Sequence, residues 1–443
     1  MLIPEKNTDN DKGESTLKNA LTALAGLSLA LAASFTAADT QVIHAGELLA
    51  VPGKNPLKEQ TVVITDGRIT EVVAGYQSPD GYDAASLIDL KDSFVMPGLM
   101  DMHVHLQGEL SPDNDSRALR WSDELVQMYG YHNAMTTLRA GFTTVRDAGS
   151  RNQQTYAVRD AINKGWVVGP RIIAAGGVGI TGGHNDVSGT KHEFMELMTD
   201  ESVCDGPYDC RRATRNGIKY GADFIKITST GGVLTDRATG TGKQMEDDEL
   251  VEVVRAAHRM GRKVASHAHQ EEGIIAALKA GVDSIEHGTY AGPAAIKEFK
   301  RTGAYLVPTL LAGATVGDMA KMGGVLTPAQ AEKAIEVSAA MQGNFAKAYK
   351  AGVKIAFGTD SAVSRHGLNA REAELMNEAG MSEMDILVSA TVNAADLIDM
   401  SDSLGTIEAG KHADIIATRR SPLDDIKALQ DVSFVMKGGM VVK

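Results

Sequence analysis

From about residue 95 to residue 400 the apolar positions come in two recurring patterns. Short apolar runs such as Phe224-Ile225-Lys226-Ile227-Thr228 read as strands, and longer stretches such as 247–260 and 327–351 read as helices. The strand candidates are 98–105, 143–147, 171–175, 224–228, 264–269, 284–287, 304–309 and 354–360. Ala140-Gly141, Tyr220-Gly221, Ala280-Gly281 and Ala351-Gly352 each stand where a helix should end in a left-handed cap before the next strand. Strand and helix alternating eight times predict an α/β fold, a (β/α)8 TIM barrel, over 97–400. A doubly wound sheet is the alternative, but no GxGxxG follows the first strand. Outside the barrel the pattern is β only. Thr61-Val62-Val63-Ile64, the turn Asp66-Gly67 and Arg68-Ile69-Thr70-Glu71-Val72-Val73 form a hairpin signal. The C-terminal stretch repeats it, with 413–417, then 432–436, the turn Lys437-Gly438-Gly439 and Met440-Val441-Val442. Segments 39–96 and 401–443 are therefore expected to form one small β-sandwich domain built from both termini.

Composition narrows the partners. The chain has 443 residues, with 44 Lys+Arg against 57 Asp+Glu and a net charge of −13. That balance disfavours nucleic acid and anionic lipid, which both need a basic footprint. Residues 1–38 are a separate matter. Lys18, the apolar run 20–33, and Thr36 and Ala38 at the −3 and −1 positions resemble a secretory signal. The acidic segment 1–15 does not belong to such a signal and reads as an added or misassigned start. Export would place the enzyme in the periplasm or outside the cell, with no stable membrane association once the signal is removed; an unprocessed leader would leave it cytoplasmic. Two cysteines are too few for a disulfide scaffold or a Cys-based zinc module, but Cys204 and Cys210 lie close enough to pair in an oxidising compartment.

The chemistry collects at the C-terminal ends of the strand candidates, where TIM-barrel active sites lie. His103-Val104-His105 ends the first, and its two imidazoles share one face. Ser266-His267-Ala268-His269 ends the fifth, Glu286-His287-Gly288 the sixth and Gly358-Thr359-Asp360 the eighth. Lys226 lies on the inward face of the fourth. An ammonium has no lone pair for a cation, but a neutral lysine that has captured CO2 becomes a carbamate with two anionic oxygens able to bridge two metals.

These motifs, beginning with Val95-Met96-Pro97-Gly98-Leu99-Met100-Asp101-Met102-His103-Val104-His105 and ending with 404–414, resemble the amidohydrolase superfamily. Within it they are most similar to the imidazolonepropionase-like branch, which contains Xaa-Pro dipeptidases, C-terminal Lys/Arg carboxypeptidases and ochratoxin-A-hydrolysing amidohydrolases; the bacterial secreted form of the last resembles it most. The resemblance implies two divalent ions, usually zinc. His103, His105 and Asp360 would hold the inner ion and His267 and His287 the outer one. Lys226, N6-carboxylated, would bridge them, and Asp360 would carry the catalytic proton. His269 would be a catalytic or substrate-facing residue, though an exchange of roles with His267 stays open. The substrate would be a small amide or dipeptide, ochratoxin A cleaved to ochratoxin alpha and L-phenylalanine being the expected one. Xaa-Pro or C-terminal Lys/Arg peptides, or a ring-opening reaction, are the alternatives. Candidates for recognising the substrate are His184, Arg237 and Tyr290, with Trp121, Met128 and Tyr129 either covering an aromatic group or packing as the apolar face of the first helix. The resemblance also implies a homo-oligomer, with an octamer as the expected form.

Overall fold

In the computed structural model, which describes residues 40–82, 85–149, 152–187, 189–235 and 240–443, two sheets organise the chain. Segment 1–38 and Arg237 lie outside the described residues. The first sheet has seven strands: β1 Thr40–Leu48, β2 Leu57–Thr65, β3 Arg68–Ala74, β4 Ser86–Pro97, β13 Ile415–Thr418, β14 Val432–Lys437 and β15 Met440–Val441, in the order β15-β14-β13-β4-β1-β2-β3. Strands from both ends of the chain thus share one sheet, and they interleave at β4, which pairs with β1 on one side and β13 on the other. The β2–β3 turn is the expected two-residue one, Thr65 facing Arg68, with Asp66 and Gly67 both at positive φ, as a hairpin that follows the sheet twist requires. Gly438 and Gly439 turn β14 into β15 in the same way. The two turns touch: a Cβ on Gly439 would lie 2.6 Å from Gly67 Cα.

The second sheet is the barrel. Its strands are β5 Leu99–Val104, β6 Phe142–Asp147, β7 Arg171–Ile180, β9 Phe224–Thr228, β10 Val264–Ala268, β11 Ser284–His287 and β12 Tyr305–Val307, all parallel neighbours. A two-residue strand, β8 Val203–Cys204, adds to the end of β7. Gly98 joins the two sheets where a Cβ would sit 2.2 Å from Thr143 Oγ1, so only glycine passes there. Helices cross over between strands, and the four glycines read as caps, Gly141, Gly221, Gly281 and Gly352, all have positive φ. The core is continuous through the strand interiors, with Leu99, Val145, Ile172, Ile225, Val264, Ile285 and Leu306 all buried.

The eighth strand differs from the expectation. Residues 354–361 close the barrel between β12 and β5, but through isolated bridges, Ile355 to Leu306 and Ser361 to Val104, rather than a ladder. Met102 N donates to Phe357 O at 2.8 Å and Asp360 N to His103 O at 2.7 Å. The reason is local backbone shape. Asp360 has φ 58° and Ala362 φ 127°, which no extended strand accommodates. Among the described residues no helix is long and apolar enough to cross a membrane.

Candidate active site

Each strand delivers its side chain to the same end of the barrel. His103, His105, Lys226, His267, His269, His287 and Asp360 all line one cavity of about 430 Å³, and His184 joins them from the loop after β7. Alternation explains the pairs: residues two apart on a strand share a face, so His103 with His105 and His267 with His269 arrive together. The imidazoles pack closely, with ring centroids 5.2 Å apart for His103–His105, 5.1 Å for His103–His287, 4.6 Å for His267–His287 and 4.7 Å for His267–His269. Donor atoms of His103, His287 and Asp360 lie within 4.8 Å of one another, a group that could hold a metal ion. This trio draws its members from both halves of the expected two-metal set.

Every imidazole ties one ring nitrogen to the surrounding protein. Nδ1 of His103 pairs with Glu286 Oε2 at 2.8 Å, Nδ1 of His269 with Thr289 Oγ1 at 2.8 Å and Nδ1 of His287 with Thr309 Oγ1 at 2.7 Å. His105 Nδ1 pairs with Gly149 O and His184 Nδ1 with Thr235 Oγ1. His267 is turned the other way, its Nε2 meeting Gly231 O at 3.1 Å, which leaves Nδ1 for the cavity. Metal-binding histidines show this arrangement: one nitrogen fixed by a carboxylate, hydroxyl or carbonyl, the other a lone pair in a set direction. Burial keeps five of the rings neutral, as a ligand must be, while at His105 burial is outweighed by the Asp360 carboxylate 3.1 Å from Nε2, which raises the imidazole above its ordinary value. Burial lowers His103 and His269 to about 4 and His184 to about 3, and holds His267 and His287 well below their ordinary value.

Behind His103 lies a chain of fixed charges that its own motif does not announce. Glu286, completely buried, takes a 2.7 Å contact from Arg146 Nη2 and a 2.6 Å hydrogen bond from Ser284 Oγ, while Arg146 Nε donates to Met102 O at 2.6 Å. Although burial raises the Glu286 carboxyl, Arg146 and His103 outweigh it and hold the group down at about 2, so it remains an anion. Asp101 ties the first strand to the eighth. It accepts from His103 N at 3.1 Å, Thr359 Oγ1 at 2.6 Å and Asn369 Nδ2 at 2.8 Å. Neither Arg146 nor Asn369 stands out in the sequence as a site residue, because each acts through contacts across the barrel rather than through a motif.

Asp360 Oδ1 stands 3.1 Å from His105 Nε2 and 3.7 Å from His103 Nε2, and those rings hold its carboxyl below the ordinary value against the opposing effect of burial. His287, Thr309 and Asp360, at three successive strand ends, have positive φ of 71°, 51° and 58°. Such left-handed conformations are costly outside glycine and cluster at functional sites. Lys226 is 8 % exposed, and burial lowers its amine. Its Nζ forms no hydrogen bond or ion pair among the described residues. A buried amine whose basicity is lowered and which has no hydrogen-bond partner, inside a ring of imidazoles, fits a carboxylated lysine better than it fits a salt bridge.

The remaining candidates divide. His184 lines the cavity, its ring 4.4 Å from His267. Tyr290 is not among the lining residues and packs against the core. Trp121 and Tyr129 meet edge to face at 5.2 Å, Met128 is exposed, and none of the three lines the cavity; residues 108–110 of that loop do. The apolar wall comes instead from Leu110, Val203, Leu234, Val316, Val337 and Met341. Cys204 and Cys210 are joined as a disulfide that ties β8 to the helix Gly206–Lys219, beside the cavity wall at Ser202 and Val203.

A barrel with imidazoles, a carboxylate and a buried lysine at its C-terminal mouth defines a metallohydrolase class of site. The Amidohydrolase family pattern matches residues 94–442. The ochratoxinase of Aspergillus niger is 31 % identical over 436 residues, covering 93 % of this chain and 88 % of that protein. Among solved structures, a Xaa-Pro dipeptidase with methionine bound in its active site superposes with TM-score 0.85 at 39 % identity, over 91 % of this chain and 99 % of the other. The A. niger ochratoxinase structure gives TM-score 0.79 at 28 % identity, over 92 % and 96 %. The chain belongs to the amidohydrolase family. By that membership it is a hydrolase acting on amide-type bonds.

Proposed function

We propose that this protein is a binuclear metal-dependent amidohydrolase that releases a C-terminal amino acid from an amide, with ochratoxin A, cleaved to ochratoxin alpha and L-phenylalanine, as its substrate. The observation that carries the reading is the convergence of His103, His105, His267, His287, Asp360 and Lys226 on one cavity. In this reading His103, His105 and Asp360 would hold one ion, and His267 and His287 would hold the other. His267 is taken as the ligand over His269 on the family resemblance, since each ring leaves one nitrogen untied, Nδ1 in His267 and Nε2 in His269. Lys226 would join the two ions as a carbamate, formed when its unprotonated Nζ attacks the carbon of CO2, an N–C bond forms, one C=O electron pair moves onto oxygen and the Nζ proton passes to water. Two bound divalent ions, zinc in the reading of the family, supply Lewis acidity and a water acidic enough to ionise near neutral pH.

The chain's own residues then do the rest. Asp360, an anion held beside His103 and His105, accepts the proton of the attacking water at its carboxylate and delivers it to the leaving amine nitrogen. Glu286 and Arg146 keep His103 in one tautomer. The wall of Leu110, Val203, Leu234, Val316, Val337 and Met341 excludes water and receives an apolar aromatic group. The ochratoxinase relative favours this substrate.

A second reading, cleavage of Xaa-Pro dipeptides, is favoured by the likeness to the Xaa-Pro dipeptidase. Glu109 and Asp200 on the cavity lining keep C-terminal Lys or Arg peptides in consideration too. One hydrolysis panel decides, containing ochratoxin A, Xaa-Pro, Xaa-Lys/Arg and Xaa-Phe, with the released amino acid quantified. Phenylalanine release from ochratoxin A at the highest kcat/KM supports the first reading. Cleavage of Xaa-Pro alone replaces it with the second. The homo-oligomer and the exported location belong to this same proposal, as does the division of the chain at residues 97 and 400.

A further inference from the structure

One buried hydroxyl beside the lysine has no partner. Thr228 ends β9, is 5 % exposed, lines the cavity and shares a face with Lys226 two residues earlier. Its Oγ1 is enclosed by protein and makes no hydrogen bond. The two hydroxyls that follow it are both satisfied: Ser229 Oγ donates to His267 O at 3.1 Å and Thr230 Oγ1 to Gly231 O at 2.9 Å. Across the ladder its register partner His267 is already tied to Gly231 O. Buried polar groups are nearly always paired, so an orphaned hydroxyl at the lining of a cavity marks a missing acceptor. Lys226 Nζ, on the same face and also unpartnered, is where that acceptor would be attached.

We infer that Thr228 Oγ1 is a hydrogen-bond donor to the carbamate formed on Lys226, and so holds the modification in place; this rests on the carbamate reading above. A carbamate has two anionic oxygens with more lone pairs than the cations occupy, and a neutral hydroxyl satisfies one without competing for metal. The hydroxyl makes no hydrogen bond with the free amine, so its bond is gained only when CO2 has added. Thr228 therefore shifts the carbamylation equilibrium forward.

The test uses the full chain, stripped of metal and reloaded with zinc over a series of ¹³C-bicarbonate concentrations. The readouts are the carbamate carbon signal and the zinc bound per chain, for wild type, Thr228→Val and Thr228→Ser. Thr228→Ser is expected to follow wild type. Thr228→Val, equal in shape but without the hydroxyl, should need about tenfold more bicarbonate for half-maximal signal, the size of one hydrogen bond to a charged group. A Thr228→Val protein with wild-type bicarbonate dependence overturns the role of Thr228 while leaving the carbamate intact. A wild-type protein with full zinc and no carbamate carbon overturns the carbamate, and this inference with it. If Thr228→Val does not melt cooperatively, Thr228→Ala replaces it with the same expectations.

Discussion

The fixed nitrogen of each imidazole matters as much as the one that faces the cavity. Glu286 is the clearest case, since it holds His103 Nδ1 and is itself held by Arg146. Glu286→Gln leaves the shape and removes the charge, so it should weaken metal binding about 10- to 100-fold. Competition with a chromophoric chelator measures this directly; unchanged affinity would show that the Arg146–Glu286 pair is structural only. Lys226→Ala takes away the group proposed to join the two ions. Activity should fall about a hundredfold or more, with less than the full metal content. Added formate or acetate should restore part of it, because the missing piece is a small carboxylate. A Lys226→Ala protein with both ions and ordinary turnover would remove the lysine from the mechanism. These residues also set the pH range of the metal-free protein. His103 and His184 are lowered by burial to about 4 and about 3, so the unfolded chain takes up protons first as pH falls. Their contribution is complete above the ordinary histidine value and is lost as pH drops from about 6.5 to about 4 for His103 and to about 3 for His184. Glu372 works in the opposite sense. Burial raises it to about 8, although Leu310 N and Leu311 N donate to its carboxylate at 2.9 and 2.6 Å. Its contribution is complete below the ordinary glutamate value and is lost as pH rises from about 4.5 to 8. Melting temperature should therefore peak near pH 6 to 7 and fall on both sides. Thermal melts of the chelated protein from pH 4 to 9 check this, and a flat alkaline side would exclude Glu372 as its cause.

At the scale of elements, the wall beside the cavity depends on a small closure. β8 is only two residues long, too short to hold itself, and it adds to β7 through Gly179 and Ile180. The Cys204–Cys210 bond fastens it to the helix Gly206–Lys219, whose Cys210, Ala213 and Thr214 are buried. Closing so short a ring limits the unfolded chain by about 2 kcal/mol. Replacing both cysteines with serine should lower stability by roughly that amount. It should also raise KM more than it changes kcat, since Ser202 and Val203 line the cavity but belong to no metal ligand. Denaturation and steady-state kinetics on the double variant decide; a loss confined to kcat would place the effect in the chemistry instead. The eighth closing segment shows the opposite economy. Its ladder gives way to bridges so that Asp360 can turn back towards His103 and His105, and Gly358, where a Cβ would lie 3.1 Å from His103 N, permits the approach.

The molecule as a whole is held together by its two ends. β13, β14 and β15 complete a sheet begun by β1 to β4, and Arg171 at the start of β7 pairs with Asp414 at 2.7 Å, both largely buried. Removing residues 431–443 would strip β14 and β15 and expose Ile416 and the edge of β13, so the truncated chain should fail to give soluble, cooperatively melting protein. A truncation that keeps activity would show that the C-terminal strands are dispensable. Metal content is the complementary whole-molecule measurement. Close to two divalent ions per chain are expected, with activity lost on chelation and regained with zinc; full activity in a metal-free preparation would end the proposed mechanism.

Much of this architecture is legible in the amino-acid sequence. Period-two and helical patterns, together with the glycines that cap helices, are local properties, and so seven of eight barrel strands and both hairpins lie where the pattern puts them. The ligand candidates are legible for the same reason: alternation alone decides that His103 and His105, or His267 and His269, share a face. Other features depend on atoms far apart in the chain. The Arg146–Glu286 pair spans 140 residues, the contact of Thr359 with Asp101 spans 258, and Asp360 meets His103 and His105 only where the eighth segment closes against the first strand. Sequence does not separate Tyr290, which packs on the core, from His184, which faces the cavity, because both follow strands in loops whose direction is set by packing. Motif and periodicity therefore determined which groups reach the mouth of the barrel. Tertiary structure decided which nitrogen each ring offers there, which lysine and threonine are left without partners, and which apolar side chains wall the cavity, since burial and cross-strand hydrogen bonds exist only once distant segments have met.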